Sequence, residues 1–507
     1  RDNVEYRITS FDIKTAYELP DDQGRLDFGL KHIEDAISNP GELTFQQFKD
    51  DAHSTNKPLD GRKFNNTIVQ VGADKKFWQD RVMASLMTYW RTNDARFFTT
   101  SGTFMDFTTG SNPDTDRVTQ KTRLSDLIWQ LSYDDQWDWL GNQSLLGMEL
   151  QDGKEHGFQQ DAFQGIVRSD SLLETDRSAN VDGAAIFWRE TVKFFEKVFL
   201  HVGMRHDFSW LKTKDALTPG DSISRRWDNS SVSTGVTVKP VKAMDLFANY
   251  SQGFRTPTVS EITPFSGTIS TDLDPERSDS YETGVRLRAK DKATLKCSYF
   301  LIDVNDEILW DSTKIGPTAP WGQNINVGKS RRTGIELRLD TNPIQEINCY
   351  GSYTWTQAWT LETNADGTLP DGRSLGQVPE NRATFGALVY PLKRLGEPFD
   401  GLRFAINGIC TGRQHPTSYE SAAQNILDAT GGAGHFIKAY TVWNTMVSYV
   451  WRKQEIYFKI NNVFDQKYYS RAVSATSFGT AIYPAGTYTF VDPGAPREYL
   501  FGLRYEI

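Results

Sequence analysis

The sequence predicts an all-β fold, a large antiparallel transmembrane β-barrel, and three observations predict it. The first is a two-faced strand period. Tyr499, Phe501, Leu503, Tyr505 and Ile507 share one face of the last strand, while Gly502, Arg504 and Glu506 share the other. A period of two is the mark of a strand, and an apolar face opposite a charged one meets lipid outside and a wet lumen inside. The second is hydropathy. Only 38% of the 507 residues are hydrophobic, and no apolar run approaches the roughly 18 residues of a membrane-crossing helix. A barrel needs no such run, because only every second residue faces lipid. The third is loop length: strand-like runs come in pairs, joined by short polar connections within a pair and long ones between pairs. Tight turns at one end and long loops at the other are what an outer-membrane barrel shows.

Each element follows in chain order. The first strand spans residues 8–18 and the tight connection 19–24 turns it back. A long connection at 36–63, a short one at 73–76 and a long one at 91–123 come next. Leu127, Trp129, Leu131 and Tyr133 then oppose Ile128, Gln130 and Ser132 on a strand ending before Asp134-Asp135, acids expected as turn formers. After a long connection at 151–180, Leu200, Val202 and Met204 oppose Gly203, Arg205 and Asp207. The short connection 239–243 and the long one 253–277 precede Tyr281, Thr283, Val285 and Leu287, which oppose Glu282, Gly284, Arg286 and Arg288. Beyond the short connection 289–292, Thr333, Ile335, Leu337 and Leu339 oppose Gly334, Glu336, Arg338 and Asp340. A short connection at 341–345 and long ones at 357–379 and 412–435 follow. The short connection 451–454 leads to Ile456, Phe458 and Ile460, and a long one at 471–496 leads to the last strand. Charges are confined to one face because each would cost roughly 2–4 kcal/mol at the bilayer midplane on the other.

The count is about 19 strands in a single domain over residues 1–507. A first strand followed by a tight turn runs inward. Bacterial barrels usually start on the periplasmic side with an even strand number. The expectation is therefore that upstream strands complete a barrel of about 22, the size of plugged transporters. The chain starts at Arg1 without Met or leader, as a processed secreted protein or an excised fragment would.

Charge and cysteines narrow the classes. A net charge of −9 disfavours nucleic acid as a partner. Cys297, Cys349 and Cys410 are far apart, form no CxxC or Cys/His pattern and read as small packing residues. A disulfide between two of them is compatible with an oxidising compartment. No Ser/His/Asp order, paired-carboxylate cleft or phosphate loop is present, so no catalytic residue, enzymatic activity or protein-held metal is expected.

Six segments carry a family resemblance. Val202-Gly203-Met204-Arg205-His206-Asp207 is similar to an "aGlRyD" strand, and Asn249-Tyr250-Ser251-Gln252-Gly253-Phe254-Arg255-Thr256-Pro257 to "ysqGFRaP". Leu273-Asp274-Pro275-Glu276-Arg277-Ser278 with Tyr281-Glu282-Thr283-Gly284 resembles "nLkPEtS..yElG". Asn326-Val327-Gly328-Lys329-Ser330 with Gly334-Ile335-Glu336 resembles "N.g.a...GvE". Asn461-Asn462-Val463-Phe464-Asp465 with Tyr468 resembles "v.NlfD..Y", and Pro493-Gly494-Ala495-Pro496-Arg497 resembles "PG.PR". In this order they resemble the barrel of TonB-dependent outer-membrane receptors, the siderophore and ferric-chelate receptor family, along nearly the whole chain. Asn39-Pro40-Gly41-Glu42-Leu43-Thr44 resembles the loop start of the subgroup with ferric citrate receptors. The family's N-terminal plug and TonB box have no counterpart in this sequence, and Ile507 departs from the usual terminal aromatic.

The resemblance implies an integral protein of a Gram-negative outer membrane, bedded in its lipid. It would take up a scarce solute, a ferric siderophore or ferric chelate such as ferric citrate. Energy would come from the TonB-ExbB-ExbD complex through the plug. It implies no permanently bound cofactor; the cargo would be an iron chelate. Haem receptors of the family carry a ligand His where residues 258–274 have none, which disfavours haem.

Candidate ligand contacts are Arg255, Trp321, Arg413 and His415, all placed in long loops. Arginine can fork an anionic chelate, and histidine can ligate iron. Their plain readings are a rim element for Phe254-Arg255-Thr256-Pro257 and a solvated side chain for His415. His156 and His435 are read as loop residues, and lumen pairs such as Arg286 with Glu336 as wall salt bridges. Phe97, Phe98, Phe104, Phe107, Trp359 and Tyr419 add aromatic surface to the loops. The alternatives are a passive porin-like channel, a family receptor for a cofactor or oligosaccharide, a loop-mediated adhesin, and a soluble all-β carbohydrate-active enzyme.

Overall fold

The computed structural model describes residues 6–20, 23–38, 43–52, 54, 60–100, 114–163, 173–217, 222–262, 272–311, 323–362, 372, 374–415, 437–477 and 486–505. In chain order the strands are β1 (Tyr6–Glu18), β2 (Gly24–Ser38), β3 (Leu43–Thr44), β4 (Gly61–Phe77), β5 (Val82–Thr100), β6 (Asp114–Gln136), β7 (Leu140–Phe163) and β8 (Leu173–Phe194). Next come β9 (Val198–Asp215), β10 (Ile223–Val241), β11 (Met244–Arg255), β12 (Glu276–Ala289), β13 (Ala293–Asp311), β14 (Gln323–Ile344) and β15 (Ile347–Glu362). The remainder are β16 (Asn381–Val389), β17 (Leu402–Thr411), β18 (Tyr440–Trp451), β19 (Gln454–Asn461), β20 (Tyr469–Ser477), β21 (Gly486–Pro493) and β22 (Glu498–Tyr505). Two short helices, α1 (Phe45–Asp50) and α2 (Val259–Ile262), lie in long connections.

Among the described residues, nineteen strands form one antiparallel sheet, the barrel wall. Its ladders follow chain order from β1–β2 and β2–β4 through to β18–β19 and β19–β22. The register places the predicted apolar faces together. Phe458 is opposite Phe501, Ile456 opposite Leu503, and Leu127 opposite Leu150. On β22, Phe501 is 76% and Leu503 67% exposed, so this apolar face points away from the rest of the chain. Lipid meets it without penalty, where water would not. Acids and bases on the other face pair across the lumen wall. Arg205 reaches Glu149 at 2.9 Å and Asp207 at 2.7 Å, and Lys296 reaches Glu282 at 2.9 Å. Arg286 turns to Asp245 at 3.5 Å, which Arg288 also holds, and not to Glu336. Arg286 lies opposite Asp245 and Lys296, and Glu336 opposite Ser298 and Thr354, so register keeps the expected pair apart.

Tight connections occupy one end. The turns after β12 and β18 fall where expected. The turn after β4 lies at 78–81 and not at 73–76, because the polar run Asp74-Lys75-Lys76 is still paired with β5. Trp78, Gln79 and Asp80 make that turn with positive φ, as do Phe195 and Glu196 after β8. Bulky residues seldom adopt that conformation. Here Trp78 and Phe195 are exposed, with Trp137 and Trp139 on the neighbouring turn and Trp139 against Phe195 at 6.0 Å. This is an aromatic girdle at a membrane interface.

At the opposite end the strands outrun the sequence reading. β6 is 23 residues long and β7 is 24, against the roughly 9–11 that cross a bilayer. The expected loops 91–123 and 151–180 are therefore largely strand. Above the bilayer both faces are wet, so the ladder persists after the alternation that reveals it has gone. His156 accordingly sits on β7, with Nε2 2.6 Å from Asp176. The three cysteines lie on β13, β15 and β17 and are unpaired.

Among the described residues, the buried apolar clusters gather at the long-loop end. One small sheet orders β20, β21 and β3, and packs Leu43, Phe48, Ala472, Val491 and Ile437 together with α1. Thr44 caps α1, accepting from the Gln47 amide while the Gln47 side chain accepts from the Thr44 amide. The other cluster buries Ile262 of α2 with Leu211, Ile223, Trp227, Leu273 and Ile308 inside the mouth.

Candidate ligand site at the long-loop end

The motif residues meet in space. Arg255, at the end of β11, forks Glu276 with two 2.8 Å bonds and gives a third 2.8 Å bond to Glu261 on α2. Glu261 also accepts from the Thr258 amide and hydroxyl, closing a Thr-x-x-Glu cap. Burial pushes the Glu261 carboxyl up, but Arg255 and Thr258 outweigh it and hold it below its ordinary value. Asn326 donates to the Asp274 and Asp306 carbonyls and accepts from the Asp274 amide. Three of the quoted segments thus brace the rim over β11–β14. A second brace joins the last two. Asn462 donates to Gln466 and Ala495 carbonyls, Asp465 accepts from the Arg497 amide, and Gly494 packs on Tyr468. A Cβ on Gly494 would lie 2.1 Å from the Tyr468 ring, so glycine is required there.

Arg413 and His415 come together just past β17. His415 lines a pocket of about 290 Å³ with Trp359, Ser374, Leu375, Val378 and Glu380, and Arg413 stands behind it, bonded to Glu380. Residues 374–380 run beside β15, with Leu375 donating to the Ala358 carbonyl and Thr356 to that of Glu380. Arg413 Nε donates to Glu380 at 2.9 Å, which raises the guanidinium further above its ordinary value. The Gln377 amide donates to the His415 carbonyl at 2.7 Å. The pocket therefore offers an aromatic face, a carboxylate and an imidazole at the barrel mouth, with the Arg413 guanidinium paired to that carboxylate. A solute with both flat apolar and anionic parts fits that set.

Arg255 does not line this pocket. Its donors are engaged by Glu276 and Glu261, and it positions α2. Trp321 lies outside the described residues, as do His435, Phe104, Phe107 and Tyr419. Sequence reasoning missed Glu380 and the 374–378 segment, which carry no motif. The one available signal was Arg413 two residues before His415.

The model of the TonB dependent receptor-like beta-barrel matches residues 3–463. The chain belongs to that family. It is an integral barrel of a Gram-negative outer membrane. A metal-pseudopaline receptor, CntO of Pseudomonas aeruginosa, is 23% identical over 338 residues, covering 64% of this chain and 40% of that receptor. A probable TonB-dependent receptor, BfrD of Bordetella pertussis, is 27% identical over 222 residues, covering 42% of this chain and 28% of that one. The chain thus spans less than half the length of these relatives. The crystal structure of the ferric citrate transporter FecA superposes with a TM-score of 0.77 at 17% identity, covering 99% of this chain and 71% of that one. The ferric-catecholate import receptor Fiu of E. coli K12 gives 0.73 at 14% identity, covering 100% and 75%. Both likenesses concern the fold.

Proposed function

We propose that this chain is the barrel of an outer-membrane receptor that takes up a ferric siderophore or ferric chelate, such as ferric citrate, energised through TonB-ExbB-ExbD. The observation that carries the reading is the mouth pocket, where Trp359, Glu380 and His415 converge and Glu380 holds Arg413, in a receptor-family barrel. Anionic oxygens of the chelate would take the Arg413 fork, and its flat apolar parts would lie on Trp359. Arg255 would hold the rim in shape, and Trp321 would add a further aromatic contact. A barrel of about 22 strands needs a plug to avoid leakage, and a plug domain with the first barrel strands upstream completes the receptor in this reading.

The test is uptake of radiolabelled iron by an iron-starved Gram-negative host that carries the full receptor and lacks its own. TonB-dependent entry of a ferric chelate, reduced about tenfold in Arg413→Ala, is the expected result. Entry that persists without TonB would mean a passive channel. TonB-dependent entry of an oligosaccharide or cofactor alone would move the reading to a non-iron solute.

A further inference from the structure

The turn end of the wall has one connection unlike its neighbours. Among the described residues, the others run two to five residues between strands, whereas β16 and β17 are joined by the twelve residues 390–401. Outer-membrane barrels keep this end to short turns, so a long connection here asks for a reason. This one is folded. Two 3-10 helical turns, Lys393–Leu395 and Phe399–Gly401, build a knob. Its first half is tied to the β14–β15 turn. The Tyr390 amide donates to the Glu346 carbonyl at 2.8 Å, Lys393 Nζ donates to the Gln345 carbonyl at 2.9 Å, and Arg394 pairs with Glu346. Its second half is seated on β18. Gly401 lies so close to β18 that a Cβ would overlap the Val450 carbonyl, and the Tyr449 hydroxyl donates to the Pro398 carbonyl at 2.7 Å.

The Tyr449 bond shows which side the knob occupies. Tyr449 lies opposite Leu402 and Val447 opposite Phe404, on the face where Phe404, Ile406 and Val447 are exposed toward lipid. The knob is therefore held beneath the lipid-facing side of β17 and β18. There Leu395 is 65% and Phe399 53% exposed, and Trp451 continues the same face from β18. Apolar and aromatic groups at this level meet the headgroup boundary. Charges of both signs surround them. Lys393 spends its ammonium on a neutral carbonyl. Arg452 and Lys453 of the β18–β19 turn, with Glu397 and Asp400 of the knob, are exposed and form no salt bridge among the described residues. The other two acids of the region are taken, Glu346 by Arg394 and Glu455 by Arg504 at 2.9 Å. What stays open is a set of cations and a pair of carboxylates, set around exposed apolar side chains.

We propose that this knob binds a phospholipid of the inner leaflet whose headgroup carries a primary ammonium beside its phosphate. The phosphate would accept from Lys393, Arg452 and Lys453, and the ammonium would donate to Glu397 and Asp400. An acyl chain would lie on Phe399 and Phe404. A quaternary ammonium has no N–H to donate, and a headgroup with no cation would meet the two carboxylates unanswered. The site is independent of the solute taken up through the mouth.

The experiment offers the full receptor, folded in maltoside detergent, phosphatidylethanolamine, phosphatidylcholine or phosphatidylglycerol with the same acyl chains, and reads bound lipid by native mass spectrometry. Wild type should retain the ethanolamine lipid about fivefold better than the other two, the size of one good exposed charge pair. Glu397→Gln with Asp400→Asn should bring the ethanolamine lipid down to the choline level and leave the choline lipid unchanged. Lys393→Gln, Arg452→Gln and Lys453→Gln together should weaken all three lipids, since all share the phosphate. A control with Lys242→Gln and Lys290→Gln, on other tight turns, should bind as wild type does. Folding of every variant is checked by heat-dependent gel migration. Equal retention of the three lipids by wild type would overturn the proposal, as would an ethanolamine preference that survives in the acid variant. Strongest retention of phosphatidylglycerol would also overturn it, marking a merely basic surface. So would displacement by an equal concentration of phosphoethanolamine, marking a site for the free headgroup.

Discussion

The two buried clusters at the long-loop end hold different things together. The mouth cluster joins α2 to β8, β9, β10 and β13, strands that are near neighbours in the wall. The clasp formed by β3, α1, β20 and β21 joins the two ends of the sheet, because β3 follows the second strand and β21 precedes the last. Phe490 opposite Thr44 and Val491 opposite Leu43 close a span of more than 400 residues. Below that end, among the described residues, the wall has neither kind of core: it is held by ladders whose outer face is apolar and whose inner face is ion-paired. The contrast teaches that hydrophobic burial in this protein shapes the mouth and the seam, while backbone pairing shapes the wall.

The sharpest way to break that contrast is at the clasp. Replacing Leu43 and Val491, 0% and 1% exposed, by Ala should cost about 2–5 kcal/mol per residue within the clasp. Protease cleavage around residues 43–52 and 469–477 should rise, with the wall's heat-modified migration unchanged. If the whole barrel melts with the clasp, the separation of seam from wall fails. Ile262→Ala at the mouth, where the side chain is 1% exposed, should cost roughly 2–4 kcal/mol and free α2. Hydrogen exchange should then speed up at 258–262 and stay slow in β3 and β21. Thr44→Ala removes an uncharged cap and should weaken α1 by about 1 kcal/mol, seen as faster exchange over residues 45–50.

The smallest effect separates the clusters by pH. Glu261 has a folded pKa below its unfolded value, so its contribution is fully present above the ordinary carboxylate range. It is lost as pH falls below about 4 and through the folded value. Acidification should loosen α2 before the clasp, whose Thr44–Gln47 cap does not titrate. Glu261→Gln should flatten this pH response in the 258–262 exchange rates. Loosening of both clusters at one pH would dissolve the distinction.

Sequence reading reached as far as lipid did. Faces such as Thr333–Leu339 and Tyr281–Leu287 were legible because one side must be apolar, and counting those faces gives the 19 wall strands. The upper halves of β5–β7 were not, since water on both sides leaves no alternation to read. The clasp was invisible for another reason: two-residue β3 and loop strands β20 and β21 acquire meaning only by meeting each other. At the mouth, Arg413 and His415 could be chosen by residue type, but Glu380 is set beside them by the 374–380 segment lying along β15. Arg255 was legible as a motif. Its engagement with Glu261 depends on α2 folding back, which a loop-length argument does not contain.

The ring of Trp78, Trp137, Trp139 and Phe195 on the tight turns has a consequence for bilayers of unequal thickness. Indole and phenyl groups settle at the headgroup boundary, which moors that end of the barrel at a fixed depth. At the tall ends of β6 and β7, paired strand continues well into water. A thicker or thinner membrane would thus shift its far boundary along the long strands and leave the turns in place. Hydrophobic mismatch is absorbed on the mouth side, so the height at which the loops stand above the lipid is set by the membrane and not by the protein alone.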